Sequence, residues 1–166
     1  MPPMPDEARG KTGRPTPRRN KPERPRDHLG RPQPWNAPNT LVLEDYDNLP
    51  IEQNHRLGRE HFNQRRFFPA HEAWETAWKQ ARGTGDEEFF KGLSQLGAGY
   101  THLLRGNAHG SITLLRRGAR RVRAYPPGHR GVATDIVATG AEAHADAVEG
   151  GQLVPGEQAR PQMPRV

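Results

Sequence analysis

Residues 86–107 run Asp86-Glu87-Glu88-Phe89-Phe90-Lys91-Gly92-Leu93-Ser94-Gln95-Leu96-Gly97-Ala98-Gly99-Tyr100-Thr101-His102-Leu103-Leu104-Arg105-Gly106-Asn107. Three acidic residues stand where a helix dipole is positive, and Phe89, Leu93, Leu96, Tyr100, Leu103 and Leu104 recur at helical spacing along one side. Gly106 suits the left-handed position just past a helix, and Asn107 suits the N-cap of the next. The stretch therefore holds the start, the buried face and the stop of one helix and the start of another. It predicts a helix from 86 to 104 and a second over 108–124, ended by Pro126-Pro127-Gly128.

Working outward, Leu57, His61 and Phe62 predict a helix near 52–64. Another should run from Phe68 to Arg82, with Pro69 in the first turn, where a missing N–H costs nothing. A weaker pattern covers 130–147. Apart from Leu41-Val42-Leu43, no segment alternates as a strand does, and no long period repeats. The expected fold is all-α, an antiparallel bundle of four to five helices with short connections.

Of 166 residues only 32% are hydrophobic, so part of the chain is expected to lie outside the core. Residues 1–34 mix Arg, Lys and Pro with almost no apolar content, and nothing there offsets the entropy of ordering. The expected division is a disordered basic arm at 1–34, a docking linker at 35–50, a helical domain at 51–147 and a disordered tail at 148–166. Within the linker, Trp35 and Leu41-Val42-Leu43 are expected to dock on the domain.

The absence of cysteine excludes disulfides, thiolate metal sites and cysteine nucleophiles. No run of eighteen apolar residues and no signal-type leader is present, so the expected location is the cytoplasm, with no membrane partner. A formal net charge of +6 permits nucleic acid or acidic partners without requiring them. Neither a G-x-S-x-G elbow nor a Walker loop occurs, and Gly83-Thr84-Gly85 reads as a plain turn.

The chemistry-bearing residues gather on the second helix, where His71, Trp74, Glu75 and Trp78 sit at i, i+3, i+4 and i+7. This stripe is expected to be buried, with Glu72 and Lys79 pointing elsewhere. His71-Glu72 begins like the zinc-peptidase H-E-x-x-H motif, but Glu75 stands where the second histidine belongs. On the third helix Gly92, Gln95, Gly99 and His102 form a second face. Glycines there point to close packing, expected against the His71/Glu75 helix.

Gln95 and His102 would then meet His71 and Glu75. Three readings stay open: a buried hydrogen-bond network without an ion, a small-molecule pocket, or a divalent metal held by His71, Glu75 and His102. Glu72, Trp74, Trp78 and Gln95 would support that site. No other cofactor is expected. If the protein is an enzyme, metal-assisted hydrolysis with Glu75 or Glu72 as ligand or base is the mildest proposal. Another class of function uses the basic arm and Arg116, Arg117, Arg120 and Arg121 on the fourth helix to bind nucleic acid or an acidic partner. A third is a structural hairpin within a homo-oligomer.

The order Phe62-Asn63, Ala70-His71-Glu72, Trp78, Gly92-Leu93-Ser94-Gln95-Leu96, His102, Arg105-Gly106-Asn107 and Leu114-Leu115 resembles the bacterial and archaeal domain of unknown function 309 (DUF309) over residues 52–124. Arg26-Asp27-His28-Leu29-Gly30-Arg31-Pro32 is similar to the leader of actinobacterial members. The resemblance implies an all-α bundle and an H-x-x-x-E-x-x-W motif associated with metal binding, here His71, Glu75 and Trp78; it implies no settled activity. This chain departs from the family at Arg65, where glycine is common and a left-handed backbone would strain any other residue. It departs again at Pro69, which the first-turn argument accommodates.

Overall fold

The structure, a computed structural model, describes residues 23–166. A 3-10 turn at Tyr46–Asn48 precedes five helices: α1 (Ile51–Asn63), α2 (Phe67–Gln80), α3 (Glu87–Leu104), α4 (Ala108–Arg123) and α5 (Thr134–Glu149). Each helix packs on its neighbours in sequence, so α3 lies between α2 and α4, and no strand occurs among the described residues. Among those residues no helix is long and apolar enough to cross a membrane.

Two helix ends explain the hairpins. After α3, Gly106 takes φ 82°, its N–H reaches the Leu103 carbonyl and the Asn107 N–H reaches that of His102. This pair of bonds ties off the last carbonyls while the chain reverses. Asn107 then caps α4, its side chain accepting from the Gly110 N–H at 3.0 Å. The same pair closes α1, from Arg65 N–H to Phe62 and from Arg66 N–H to His61, but here the left-handed residue is Arg65 itself, at φ 58°. That conformation costs a residue with a Cβ about 1 kcal/mol. The Arg65 guanidinium offsets part of it by donating to the Pro161 carbonyl at 2.7 Å.

The core is aromatic on the α1–α2–α3 side. Phe62, Phe67, Trp74 and Tyr100 are all buried, with ring centroids 5.0 to 5.7 Å apart in the contacting pairs. Leu93, Leu96, Leu115 and Val122 fill the α3–α4 contact, and alanines of α5 close the far side. Close approach on both faces of α3 depends on glycine. A Cβ on Gly92 would lie 2.9 Å from Val122 Cγ2 of α4, whereas one on Gly97 would lie 2.9 Å from the His71 backbone nitrogen of α2.

The Gly92/Gln95/Gly99/His102 face therefore packs against α4, not against the His71 helix. Gly97 supplies the face that meets α2. Spacing marks which residues share a side, but a helix with small residues on two sides gives no sign of which neighbour each receives.

The flanking segments also differ from expectation. Residues 1–22 of the basic arm lie outside the described residues, but from residue 23 the chain is fastened to the bundle. Asp27 Oδ1 accepts from the Leu29 and Arg31 N–H groups, Leu29 is buried, and Arg105 donates twice to the Leu29 carbonyl at 2.9 and 2.6 Å. Leu41 docks as expected; Trp35, Val42 and Leu43 stay exposed. At the other end, expected as a disordered tail, Gly156 N–H binds the Leu103 carbonyl, Ala159 and Val166 are buried, and Asn63 exchanges two hydrogen bonds with the Val166 backbone. Polar contacts to the chain's own carbonyls order these segments, and apolar content does not report such contacts.

Candidate metal centre

On α2, His71, Glu72 and Glu75 each place a potential ligand atom within 4.8 Å of the others. His71 Nε2 lies 3.5 Å from Glu75 Oε2 and 3.9 Å from Glu72 Oε1, and all three side chains are partly exposed, by 24 to 33%. Glu75 also faces Lys79 at 3.5 Å. The i, i+4 spacing of His71 and Glu75 brings this about, as read from the sequence, and the adjacent Glu72 leans into the same space.

The imidazole is held from behind. His71 Nδ1 lies 2.9 Å from the Ser94 carbonyl oxygen and 2.9 Å from Ser94 Oγ. A carbonyl only accepts, so the Ser94 contact places a hydrogen on Nδ1 and turns Nε2 toward the two carboxylates. Gly97 makes this contact geometrically available, because its missing side chain lets the backbone of α3 lie against that of α2 at His71. Burial pushes the Glu72 carboxyl above its ordinary value, with His71 opposing and the Glu75 carboxylate adding to the rise.

The expected buried stripe is not what forms. Trp74 is fully buried, but it points into the core, where its indole N–H donates to His55 Nδ1 at 3.1 Å. Trp78 is half-buried under the Lys91 ammonium, 5.0 Å from the ring centroid. Glu75 is thus not a carboxylate enclosed by two indoles; it sits at the surface with the imidazole. Glu72, expected to point elsewhere, belongs to the cluster.

Gln95 and His102 do not join it. Gln95 Oε1 accepts from Arg121 of α4 at 3.1 Å, and His102 Nδ1 lies 3.0 Å from the Asn107 side-chain amide. Burial first, then the charges of Arg105 and His71, lower the pKa of His102. Its place on the α4-facing side of α3 follows from the same misassigned glycine face. Ser94 was the residue that spacing did not single out, although it lies three positions before Gly97 on the side that meets α2.

Two buried histidines serve the fold. His55 Nε2 donates to the Arg130 carbonyl at 2.9 Å, which leaves Nδ1 to accept from Trp74, and burial lowers its pKa. His61 Nε2 lies 3.1 Å from Glu44, which also accepts the Tyr46 hydroxyl at 2.6 Å. On α4, Arg116 pairs with Asp146 and Glu149, Arg121 with Glu88, and Arg123 with Glu142. Arg117 and Arg120 are exposed and form no ion pair among the described residues.

Residues 55–114 match the family model described as a domain of unknown function (DUF309). No curated protein and no solved structure matches the chain.

Proposed function

We propose, for a chain whose residues 55–114 are a DUF309 domain, that His71, Glu72 and Glu75 bind a divalent first-row transition metal ion. The observation that carries this reading is the clustering of three potential ligand atoms within 4.8 Å, with His71 oriented from behind by Ser94. With Nδ1–H held by Ser94, Nε2 faces two carboxylates 3.5 and 3.9 Å away. A cation bound between these groups would relieve the repulsion of the two carboxylates, beyond what Lys79 supplies to Glu75. An imidazole whose far N–H is bound to a carbonyl is also the usual arrangement of a metal-ligating histidine.

One imidazole and two carboxylates suit zinc, manganese or iron better than magnesium or calcium, which take oxygen ligands almost exclusively. Three ligands leave coordination positions free at a partly exposed surface. An ion bound there supplies Lewis acidity for metal-assisted hydrolysis. The chain's own contribution is to orient His71 through Ser94 and to keep Lys79 beside Glu75.

Elemental analysis and titration of the metal-free protein with Zn, Mn, Fe and Ni test the reading. One ion per chain is expected, with His71→Ala and Glu75→Gln each abolishing uptake while circular dichroism stays helical. Protein that takes up none of these ions would refute it, because the same geometry would then be an imidazolium held by two carboxylates. The reading of α4 as a nucleic-acid face draws less support, since Arg116 and Arg121 are bound to the chain's own acidic groups.

A further inference from the structure

Beside the His71/Glu72/Glu75 cluster lies a cleft of about 940 Å³, walled by the segment at 23–43 on one side and by α2 and the end of α3 on the other. That volume is at the upper end of what small-molecule sites enclose. Glu72 belongs both to the metal cluster and to this wall, so the two spaces adjoin. The cleft's other walls include Arg24, Arg26 and Arg105 with one further carboxylate, Glu23, so cations outnumber carboxylates three to two, and Phe68 and Leu43 add apolar surface.

These three arginines share one cleft and lack a carboxylate partner, unlike six of those elsewhere among the described residues. Arg31, Arg56, Arg116, Arg121, Arg123 and Arg130 each pair with a carboxylate. Among the described residues, Arg24, Arg26 and Arg105 instead donate to neutral carbonyls, those of Gln33, Gly30 and Leu29. Their hydrogen bonds are partly spent, but their charge is not compensated by any ion pair among the described residues. Each guanidinium carries five N–H donors and keeps some free. Arg105 is half-buried, its Cζ 5.5 Å from the centroid of the Phe68 ring, and burial lowers its pKa, with Asp27 opposing and Arg31 and Arg26 adding to the fall. A cation destabilised in this way gains from an anion at its side.

We infer that this cleft receives the phosphate group of a phosphorylated small molecule, held by Arg24, Arg26 and Arg105, whose remainder extends past Phe68 to the centre at Glu72. The inference rests on the metal reading for the role of Glu72, but the cationic wall stands on its own geometry. A dianion matches several uncompensated guanidinium groups better than a single carboxylate does, and planar donors of this kind bind phosphate in pairs.

The test is calorimetric titration of the full chain with inorganic phosphate and with phenyl phosphate, metal-free and with Mn loaded. Arg26→Gln and Arg105→Gln are each expected to weaken phosphate binding about tenfold or more, the loss of one charge-assisted contact. Manganese uptake should be unchanged in both. Because Arg105 also anchors Leu29, Arg26→Gln is the deciding variant if Arg105→Gln loosens the fold. Arg117→Gln and Arg120→Gln, on the far basic face, should leave phosphate affinity unchanged. Normal metal uptake without phosphate binding would overturn this inference alone. Equal weakening by the α4 variants would overturn it too, by showing diffuse attraction to a basic protein. Arginine-dependent phosphate binding in a protein that takes no metal would refute the metal reading and leave the cleft as an anion site.

Discussion

Replacing Gly97 by alanine tests the contact on which the proposed centre depends. A Cβ at this position would sit 2.9 Å from the His71 nitrogen, 3.0 Å from its Cα and 3.1 Å from its Cβ. Carbon contacts prefer roughly 3.5–4.0 Å, so α2 and α3 must separate by about 0.5–1 Å. No flexible side-chain end can yield, because two of the three atoms are backbone. Alanine gains about 1 kcal/mol over glycine in a helix interior, against about 1–3 kcal/mol for overpacking a core contact.

With backbone on both sides the upper part of that range applies, and the net loss is about 1–2 kcal/mol. For a chain of this size that is roughly a 2–8 °C fall in Tm. Separating the helices also draws Ser94 away from His71 Nδ1, and loss of such an orienting partner weakens metal binding about 10- to 100-fold. Urea unfolding and metal titration read the two effects, with Gly85→Ala, where a Cβ would have nothing within 4 Å, as the control. A Gly97→Ala protein as stable as the control, with unchanged metal affinity, would refute the claim that this backbone contact positions His71.

Stability should fall as pH drops below about 6.5, where unfolded histidine takes a proton that buried His55 resists. The unfolded chain binds more protons in that window, so the contribution is complete above it and is lost at up to about 1.4 kcal/mol per pH unit. His102 and His144 shift in the same direction. Urea midpoints between pH 7 and 5 should therefore slope downward, and His55→Gln should flatten part of that slope; an unchanged slope would show that His55 is not held neutral. Glu72 has the opposite sign, its raised pKa adding stability as the carboxyl protonates. Asn107→Ala should cost about 1 kcal/mol through the lost α4 cap, while Asn107→Asp retains it, as thermal melts would show.

The α3–α4 hairpin was legible because its signals are local. An acidic first turn, an apolar face, Gly106 and Asn107 each act within a few residues of themselves, and each is found acting so. Arg65 was legible as a departure for the same reason, since a left-handed turn burdens whichever residue occupies it. The pairing of His71 with Glu75 follows from one turn of one helix. Ser94, by contrast, reaches His71 only because α2 packs on the Gly97 side of α3, and Gln95 and His102 miss it because α4 takes the other side. The order of the segments at 23–34 and 148–166 escaped composition because Arg105 and Asn63 bind backbone far away in the chain.

The sequence by itself determined where helices begin and end, which residues share a face, and that an imidazole and a carboxylate stand one turn apart on α2. Those are properties of a chain interacting with itself over three or four residues. Only the tertiary structure decided which face meets which neighbour, and with it the contact of His71 with Ser94, the inclusion of Glu72 and the arginines of the adjoining cleft. Packing of two faces across space carries no fixed sequence interval, so periodicity, however clear, could not choose between them.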